Sequence, residues 1–480
     1  MVEITDDQQA SLEDIPEIKE KNKYVMPPEL FEAEQLRKAR KPDEAFKLCV
    51  TFMNDHLDHV PAMVLAANIM IDSERYGLAH PLLVRCAQIE PNKAVVWNNL
   101  GFLHSEAGDF VAAEKALMKC VSIDPNYALG WNSLSNVYVR LGEPEKSVRC
   151  ADKAMELDPR LPECRFNKSL AKLMLGEWKE GWEGYDFNLG RHQGRRERIY
   201  GIIPRWTGVD GLTLIAYGEQ GIGDEIAFAS CIPDLQKKNE VIIECNAKSR
   251  GLFERSFGCK TYGTLSHKGI GWPAEHKIDA SVAMGSLPGF YRNSTEDFPG
   301  TPYLKADPDR RLQWRALLDK MGPKKKVGIA WTGGIKKTGD KLRSMKLNDL
   351  EPILRQDAVF ICLQYKDASV EIAELYTKKG LIVHQWSHAT LTADYDDTAA
   401  LVAELDLVIT VTTAVVDLAG GLGIPCWVMV PRKPIWRFGP EAYPWAKSIK
   451  LYRQYREDWL NTIAEIAHDL RALCSPSSQS

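Results

Sequence analysis

The chain has no CxxC pair, and none of its eleven scattered cysteines has a histidine neighbour at metal-ligand spacing, which excludes the common zinc modules and predicts reduced thiols. It also lacks an excess of either charge. Sixty-one Lys and Arg stand against 65 Asp and Glu, so a net charge of −4 gives no overall attraction to phosphate backbones or anionic lipid. Nucleic acid as a partner is therefore unsupported by charge. Long apolar runs are missing too: the most apolar stretch, 401–430, carries Glu404, Asp406 and Asp417 and reads as strand, helix and strand rather than a membrane span. The opening segment MVEITDDQQASLEDIPEIKE has no apolar core, so no secretory signal is read there and a cytoplasmic protein is expected.

What is present is ordinary in bulk and ordered in detail. A 45% hydrophobic and 26% charged composition is that of a soluble globular protein, and 480 residues exceed what one core holds. Several domains are expected. PNKAVVWNNLG at 91–101 returns as PNYALGWNSLS at 125–135, so Pro91, Pro125 and Pro159, like Trp97 and Trp131, are spaced by 34. That period resembles the tetratricopeptide repeat, a pair of helices per unit. Ala45, Ala79, Ala113 and Ser147 keep the phase where paired helices approach closely, Gly108, Gly142 and Gly176 mark turns, and Cys86, Cys120 and Ala154 recur on the second helix. The match is closest over 92–159; over about 28–91 and 160–190 Met63 and Arg165 replace the tryptophan, as outer repeats of a solenoid allow.

Near residue 191 the pattern changes to RHQGRRERIYGIIPRWTGVDG and then to short β-branched runs between helical stretches. Strands are predicted at 212–217, 241–245, 278–284, 326–332, 359–364, 381–386, 405–411 and 425–430. Alternation with helices implies parallel sheets in two α/β lobes, with ligands at the carboxyl ends of strands. The expected domains are an acidic disordered tail (1–27), repeats (28–190), a linker (191–210), a first lobe (211–310), a second lobe (311–475) and a short tail (476–480). After the first strand comes GEQGIGDEIAFAS, whose glycines 218, 221 and 223 match neither the dinucleotide fingerprint nor a P-loop. Taken alone, Asp224 reads as a cap on a tight strand-to-helix turn.

GEQGIGDEIAFASCIPDL, KVGIAWTGG, RSMKL, DDTAALVAELDLVITVTTAVVDLAGGLGIPCWVMVP and PIWRFG, in that order, resemble the heptosyltransferase-like glycosyltransferases of family 9. The stretch 60–475 resembles the tetratricopeptide-repeat glycosyltransferases, and its plan is similar to the O-linked N-acetylglucosamine transferases. The resemblance implies a tetratricopeptide solenoid followed by a GT-B module of two Rossmann-like lobes. It implies inverting transfer from a nucleotide-diphosphate sugar, UDP-, GDP- or ADP-linked, to an acceptor hydroxyl, with no metal and no cofactor. Asp224 takes the place of the catalytic base in the family, with Glu219 as a nearby alternative. Donor contacts are implied at Lys341 and Arg343, in a loop where Lys336 and Lys337 read as solvated, and at Gln364, Asp397, Thr398, Thr412, Thr413 and Gly420. Thr398 reads equally as a helix cap.

One departure stands out. The family has Asp-Thr-x-x-x-His where this chain has Thr412-Thr413-Ala-Val-Val-Asp417. A carboxylate beside a diphosphate repels it unless paired or turned away. Restoring histidine at 417 is expected to leave donor binding intact or improve it. Two function classes follow: an active glycosyltransferase whose acceptor is a protein held by the repeats, a glycan or lipid precursor, or a modified nucleic-acid base; or a repeat adaptor with a degenerate module.

Overall fold

The computed structural model describes residues 26–191, 194–267, 269–334, 342–391, 394–456 and 458–475. The chain divides into two compact units between residues 107 and 108.

Among the described residues, the first unit contains the helices α1 (Pro28–Lys38), α2 (Pro42–Asp55), α3 (Val60–Asp72), α4 (Tyr76–Ile89) and α5 (Ala94–Glu106). Pro28 and Pro42 open their helices, where the missing N–H costs nothing and the fixed φ suits the first turn. Ala45, Ala62, Ala66 and Ala79 are fully buried, as close helix approach requires. The repeat period survives in the backbone where the side-chain pattern is looser. Positions 40 and 74, two periods and one period before Gly108, hold Arg40 and Glu74 in the left-handed region at φ 59° and 58°. Gly108, Gly142 and Gly176 take the same turn at 84°, 72° and 75°. A side chain there costs roughly 1–2 kcal/mol that glycine avoids, so the first two turns are the strained ones.

The second unit begins with α6 (Phe110–Ile123), α7 (Ala128–Leu141), α8 (Pro144–Leu157), α9 (Pro162–Met174) and α10 (Trp178–Tyr185). Ser147, at the small-residue position, meets Ser135 hydroxyl to hydroxyl at 2.9 Å. Trp131 donates its indole N–H to the Pro125 carbonyl at 2.9 Å, which explains why the two residues recur together.

Among the described residues, ten strands follow: β1 (Thr213–Tyr217), β2 (Glu240–Glu244), β3 (Thr261–Tyr262), β4 (Ala280–Ala283), β5 (Lys325–Ala330), β6 (Ala358–Cys362), β7 (Val383–His384), β8 (Leu407–Val411), β9 (Cys426–Val430) and β10 (Ile449–Arg453). Between and after them run α11 (Ile222–Ala229), α12 (Ile232–Gln236), α13 (Arg250–Phe257), α14 (Pro288–Tyr291), α15 (Pro308–Asp319), α16 (Glu351–Leu354), α17 (Ser369–Lys379), α18 (Ser387–Thr390), α19 (Asp396–Val402), α20 (Ala414–Leu422) and α21 (Leu460–Cys474). The strands form two sheets, ordered β3-β2-β1-β4 and β10-β9-β8-β5-β6-β7. Each named pairing is parallel. Counted from β5, the second sheet has the standard doubly wound order 3-2-1-4-5-6, and the first sheet has its first four strands. All eight predicted runs contain a strand. The two strands not foreseen are β3, two residues long, and β10, an edge strand whose Lys450 and Arg453 interrupt any apolar run.

The segment 191–210 is not a free linker. Arg195, Tyr200 and Trp206 are buried, Arg198 pairs with Glu244 at 2.9 Å, and the Trp206 N–H reaches the Ser281 carbonyl at 2.8 Å. Nor is the last repeat helix separable from the sheets. Trp182 of α10 lies edge-on to Trp436 at 5.6 Å and donates to the Arg292 carbonyl at 2.7 Å, and Trp178 packs on Phe298 at 4.7 Å. A cut near residue 200 would remove three buried aromatics, Trp178, Trp182 and Tyr185, from the core they share with Phe228 and Trp445.

Candidate functional site

In a doubly wound sheet the two strands on either side of the chain reversal leave a crevice at their carboxyl ends. In the second sheet these are β5 and β8. The loop after β5 brings Gly333 against the chain after β8, where a Cβ would lie 2.6 Å from Thr413 Cγ2. Gly334, at φ 79°, leaves room for the Arg343 guanidinium, which any side chain there would strike. Arg343 is buried and donates Nη1 to the Thr412 carbonyl at 3.1 Å, tying the two loops together. The Thr413 hydroxyl accepts from Val415 N–H at 3.3 Å and so caps α20. Gln364, just past β6, gives Nε2 to Thr332 Oγ1 at 2.8 Å. Arg343, Gln364, Thr412 and Thr413 thus gather at the β5, β6 and β8 ends. Lys341, Lys336 and Lys337 lie outside the described residues.

The other three donor candidates are engaged elsewhere. Asp397 pairs with Arg310 of α15 at 2.7 Å. Thr398 is buried, donates to the Ala389 carbonyl and does not cap α19, whose cap position is Tyr395. Gly420 lies in the last turns of α20, where a Cβ would be 2.7 Å from Ala446 Cβ, so its glycine is explained by helix packing.

In the first sheet the corresponding crevice, between β1 and β4, is filled. Glu219 pairs with Arg195 at 2.9 Å and accepts the Gly285 N–H at 3.2 Å, joining the loops after the two strands. Its side chain is 1% exposed, and burial pushes the carboxyl up while Arg195 pulls it back. Glu219 is thus built into the scaffold. Asp224 is placed differently. It sits in the first turn of α11, whose cap position is Gly221 with no side-chain cap, so Asp224 is not the helix cap.

Instead it faces the second sheet. Gly223 approaches α20 so closely that a Cβ would lie 3.1 Å from Ala414 Cα and 3.0 Å from Asp417 Oδ2. Across this contact Arg437 pairs with Asp417 at 2.6 Å and with Asp224 at 3.2 Å, and Tyr443 donates its hydroxyl to Asp417. Side-chain exposure separates the roles: 1% for Asp417, 5% for Arg437 and 31% for Asp224. Burial pushes the Asp417 carboxyl up and the guanidinium opposes it, while the carboxylates beside Arg437 keep that group charged. The acid that departs from the family pattern is therefore paired, which answers the electrostatic objection to it. Sequence reasoning missed Arg437; its signal was an acid inside the apolar helix AVVDLAGGL, which demands a buried cation.

Glu225, next to Asp224, points inward, and its carboxyl accepts the Asn246 N–H at 3.2 Å. Burial pushes its pKa up to about 8. Between the ordinary value of 4.5 and that figure, the native state holds a proton that the unfolded chain has released. Stability is thus lost as pH rises through this window, by at most about 1.4 kcal/mol per unit. Glu225→Gln, which mimics the protonated form, is expected to raise the unfolding midpoint at pH 8.5 and leave it nearly unchanged at pH 5. A variant equally stabilised at both, or destabilised at pH 8.5, would show that the carboxylate is the native form.

All eleven cysteines are free thiols, nine of them buried. Among the described residues no group of three or more His, Cys, Asp and Glu side chains could hold a metal ion, and no helix is long and apolar enough to cross a membrane.

The family model of the tetratricopeptide repeat matches residues 94–127 and 128–161. Among solved structures, that of MamA is 18% identical, covers 34% of this chain and 94% of its own, and has a TM-score of 0.29. TTC0263, a thermophilic TPR protein in Thermus thermophilus, is 19% identical, covers 33% of this chain and 86% of its own, and has a TM-score of 0.31. Protein FlbA of Caulobacter vibrioides (strain ATCC 19089 / CIP 103742 / CB 15) is 33% identical over 329 residues, which are 64% of this chain and 54% of FlbA. The chain spans about half the length of that curated relative, and residues 94–161 are tetratricopeptide repeats.

Proposed function

We propose that the α/β region is a GT-B glycosyltransferase module that moves a sugar from a nucleotide-diphosphate donor to an acceptor hydroxyl with inversion. The repeats hold the acceptor or its carrier, and a protein fits the extended helical surface that such repeats offer. The observation that carries this reading is the meeting of Asp224, from the β1 end of one sheet, with the β8–α20 corner of the other, where Arg343 and Thr413 gather. Asp224 is the carboxylate of the cluster that solvent reaches.

In the proposed step, the acceptor oxygen attacks the anomeric carbon as Asp224 takes its proton. The bond from that carbon to the β-phosphate oxygen breaks, and its electron pair leaves with the diphosphate. Arg343 and the N–H groups at the start of α20 stabilise the growing charge. Glu219, closed into its pair with Arg195, serves as scaffold. A second reading, an adaptor with an inactive module, is favoured by one observation: Asp417 and Arg437 spend their charges on each other. UDP, GDP and ADP remain equal candidates as the carrier, and a glycan or lipid precursor or a modified nucleic-acid base remains an alternative acceptor.

Arg343→Ala is expected to weaken nucleoside diphosphate binding at least tenfold, about 1.4 kcal/mol, in calorimetry. Affinity unchanged in a folded variant would remove Arg343 from the donor site.

A further inference from the structure

Between α10 and the β4–α14 turn of the first sheet lies a cavity of about 590 Å³, the size of a small-molecule cleft. It is separate from the site described above. Tyr185 lines it and gives its hydroxyl to Gln220 at 3.2 Å, in the turn before α11, whereas Asp224 is not among the lining residues.

One wall is the solvent face of α10 and the turn after it, where Lys179, Glu183 and Asp186 follow at helical spacing. The side chains of Lys179 and Glu183 are exposed and have no partner among the described residues. Asp186 Oδ1 accepts from Arg195 at 2.6 Å and from the Ser286 hydroxyl at 2.7 Å, which leaves Oδ2 open. On the facing wall Asn293 gives Nδ2 to the Gly289 carbonyl at 3.3 Å and keeps its amide oxygen free. Beside it Phe290 is 42% exposed, its ring steadied by Trp206 at 4.6 Å.

These walls narrow the ligand by chemistry. Lys179 offsets Glu183, and Arg195 offsets Asp186, so a free anion and a free cation would each meet a group of its own sign. A neutral ligand is favoured. An extended peptide would need free main-chain groups to pair with. The outer edge of β4 is already taken, with Trp206 N–H on the Ser281 carbonyl and Ser281 N–H on that of Pro204, and the Gly285 N–H serves Glu219. What the cavity offers instead is side-chain tips, one donor among several acceptors, beside a bare aromatic ring. Hydroxyl groups both donate and accept, and a sugar ring carries them around a C–H face that packs on the π-face of an aromatic ring.

We infer that this cavity binds a neutral saccharide at a place separate from the base. Glu183 and Asp186 accept from its hydroxyl groups, Lys179 donates to them, and Phe290 carries its apolar face. The binding stands independently of the transferase reading; on that reading, the site holds a sugar already borne by the acceptor.

The test applies the full chain to an array of neutral mono-, di- and trisaccharides printed beside short peptides, and then measures the best-retained saccharide by titration calorimetry in the parent, Glu183→Ala and Phe290→Ser. The parent is expected to retain saccharides, and each variant to bind them at least about tenfold more weakly. Should Phe290→Ser lose its fold with the packing on Trp206, the exposed positions carry the comparison through Glu183→Ala and Lys179→Ala. A parent that retains no saccharide, or peptides alone, would overturn the site, and so would undiminished affinity in folded Glu183→Ala. The thermal response of the same variants to nucleotide sugars reports the donor site separately, so loss of one reading leaves the other standing.

Discussion

Asp224→Asn is expected to reduce sugar transfer by ~10²–10⁴-fold, the usual contribution of a positioned base, with donor affinity held within about threefold. The amide keeps the shape of the side chain and its place in the first turn of α11, and Arg437 keeps Asp417 as its closer partner. What is lost is the ability to take a proton. The kinetic signature is a fall in kcat and kcat/KM together, as for a group that acts in the transition state. Wild-type turnover in the variant would reduce Asp224 to a second carboxylate for Arg437. Glu219→Gln provides the contrast: with its side chain buried on Arg195, it should lower the unfolding midpoint of the whole protein rather than turnover alone.

The second large effect concerns the pair that sequence comparison alone would misjudge. The resemblance implies that histidine at 417 suits donor binding, but the buried Arg437 makes the same change costly to stability. Asp417→His would put a basic ring against a fully buried guanidinium and leave it the more distant, partly solvated Asp224 as a carboxylate partner. Breaking a buried pair from one side typically costs ~3–5 kcal/mol, so Asp417→His and Arg437→Met should each lower the urea midpoint substantially. Replacing both partners by apolar residues, Asp417→Leu with Arg437→Met, should recover most of that loss, because no uncompensated charge remains. A double variant as unstable as the sum of the two singles would contradict the coupling.

The legibility of this molecule in its sequence follows local physics. The 34-residue period was readable because Trp131 needs the Pro125 carbonyl and Ser147 needs a small partner in Ser135, so contact and spacing constrain the same residues. In the first repeats Arg40 and Glu74 hide the turn that glycine marks later, although the backbone repeats it. β5, β8 and β9 were evident as apolar runs buried on both faces. β10 was not, since Lys450 and Arg453 interrupt it and only Tyr452 is fully buried.

Site residues divide the same way. Asp224 and Arg343 lie in the segments that follow β1 and β5, and the family resemblance, not their position alone, marked them as ligand contacts. Asp397 and Thr398 occupy an equally suggestive helix start, yet their partners, Arg310 and Ala389, are remote or carry no sequence signal. Arg437 lies 20 residues beyond Asp417 in a 3-10 helix of three residues, Trp436–Phe438, too short for periodicity to say anything. The aromatic residues of α10, inside the stretch 28–190 assigned to the repeats, share a core with residues of both sheets.

The most direct test is thermal unfolding of the full chain with a panel of UDP-, GDP- and ADP-linked sugars, each with its free nucleoside diphosphate as control. A donor present at ~100 times its dissociation constant adds about 2.7 kcal/mol to stability. One nucleotide class is therefore expected to raise the unfolding midpoint in the parent, and markedly less in Arg343→Ala. If no nucleotide or nucleotide sugar moves the midpoint at millimolar concentration, the module has no donor site and the transferase account is wrong.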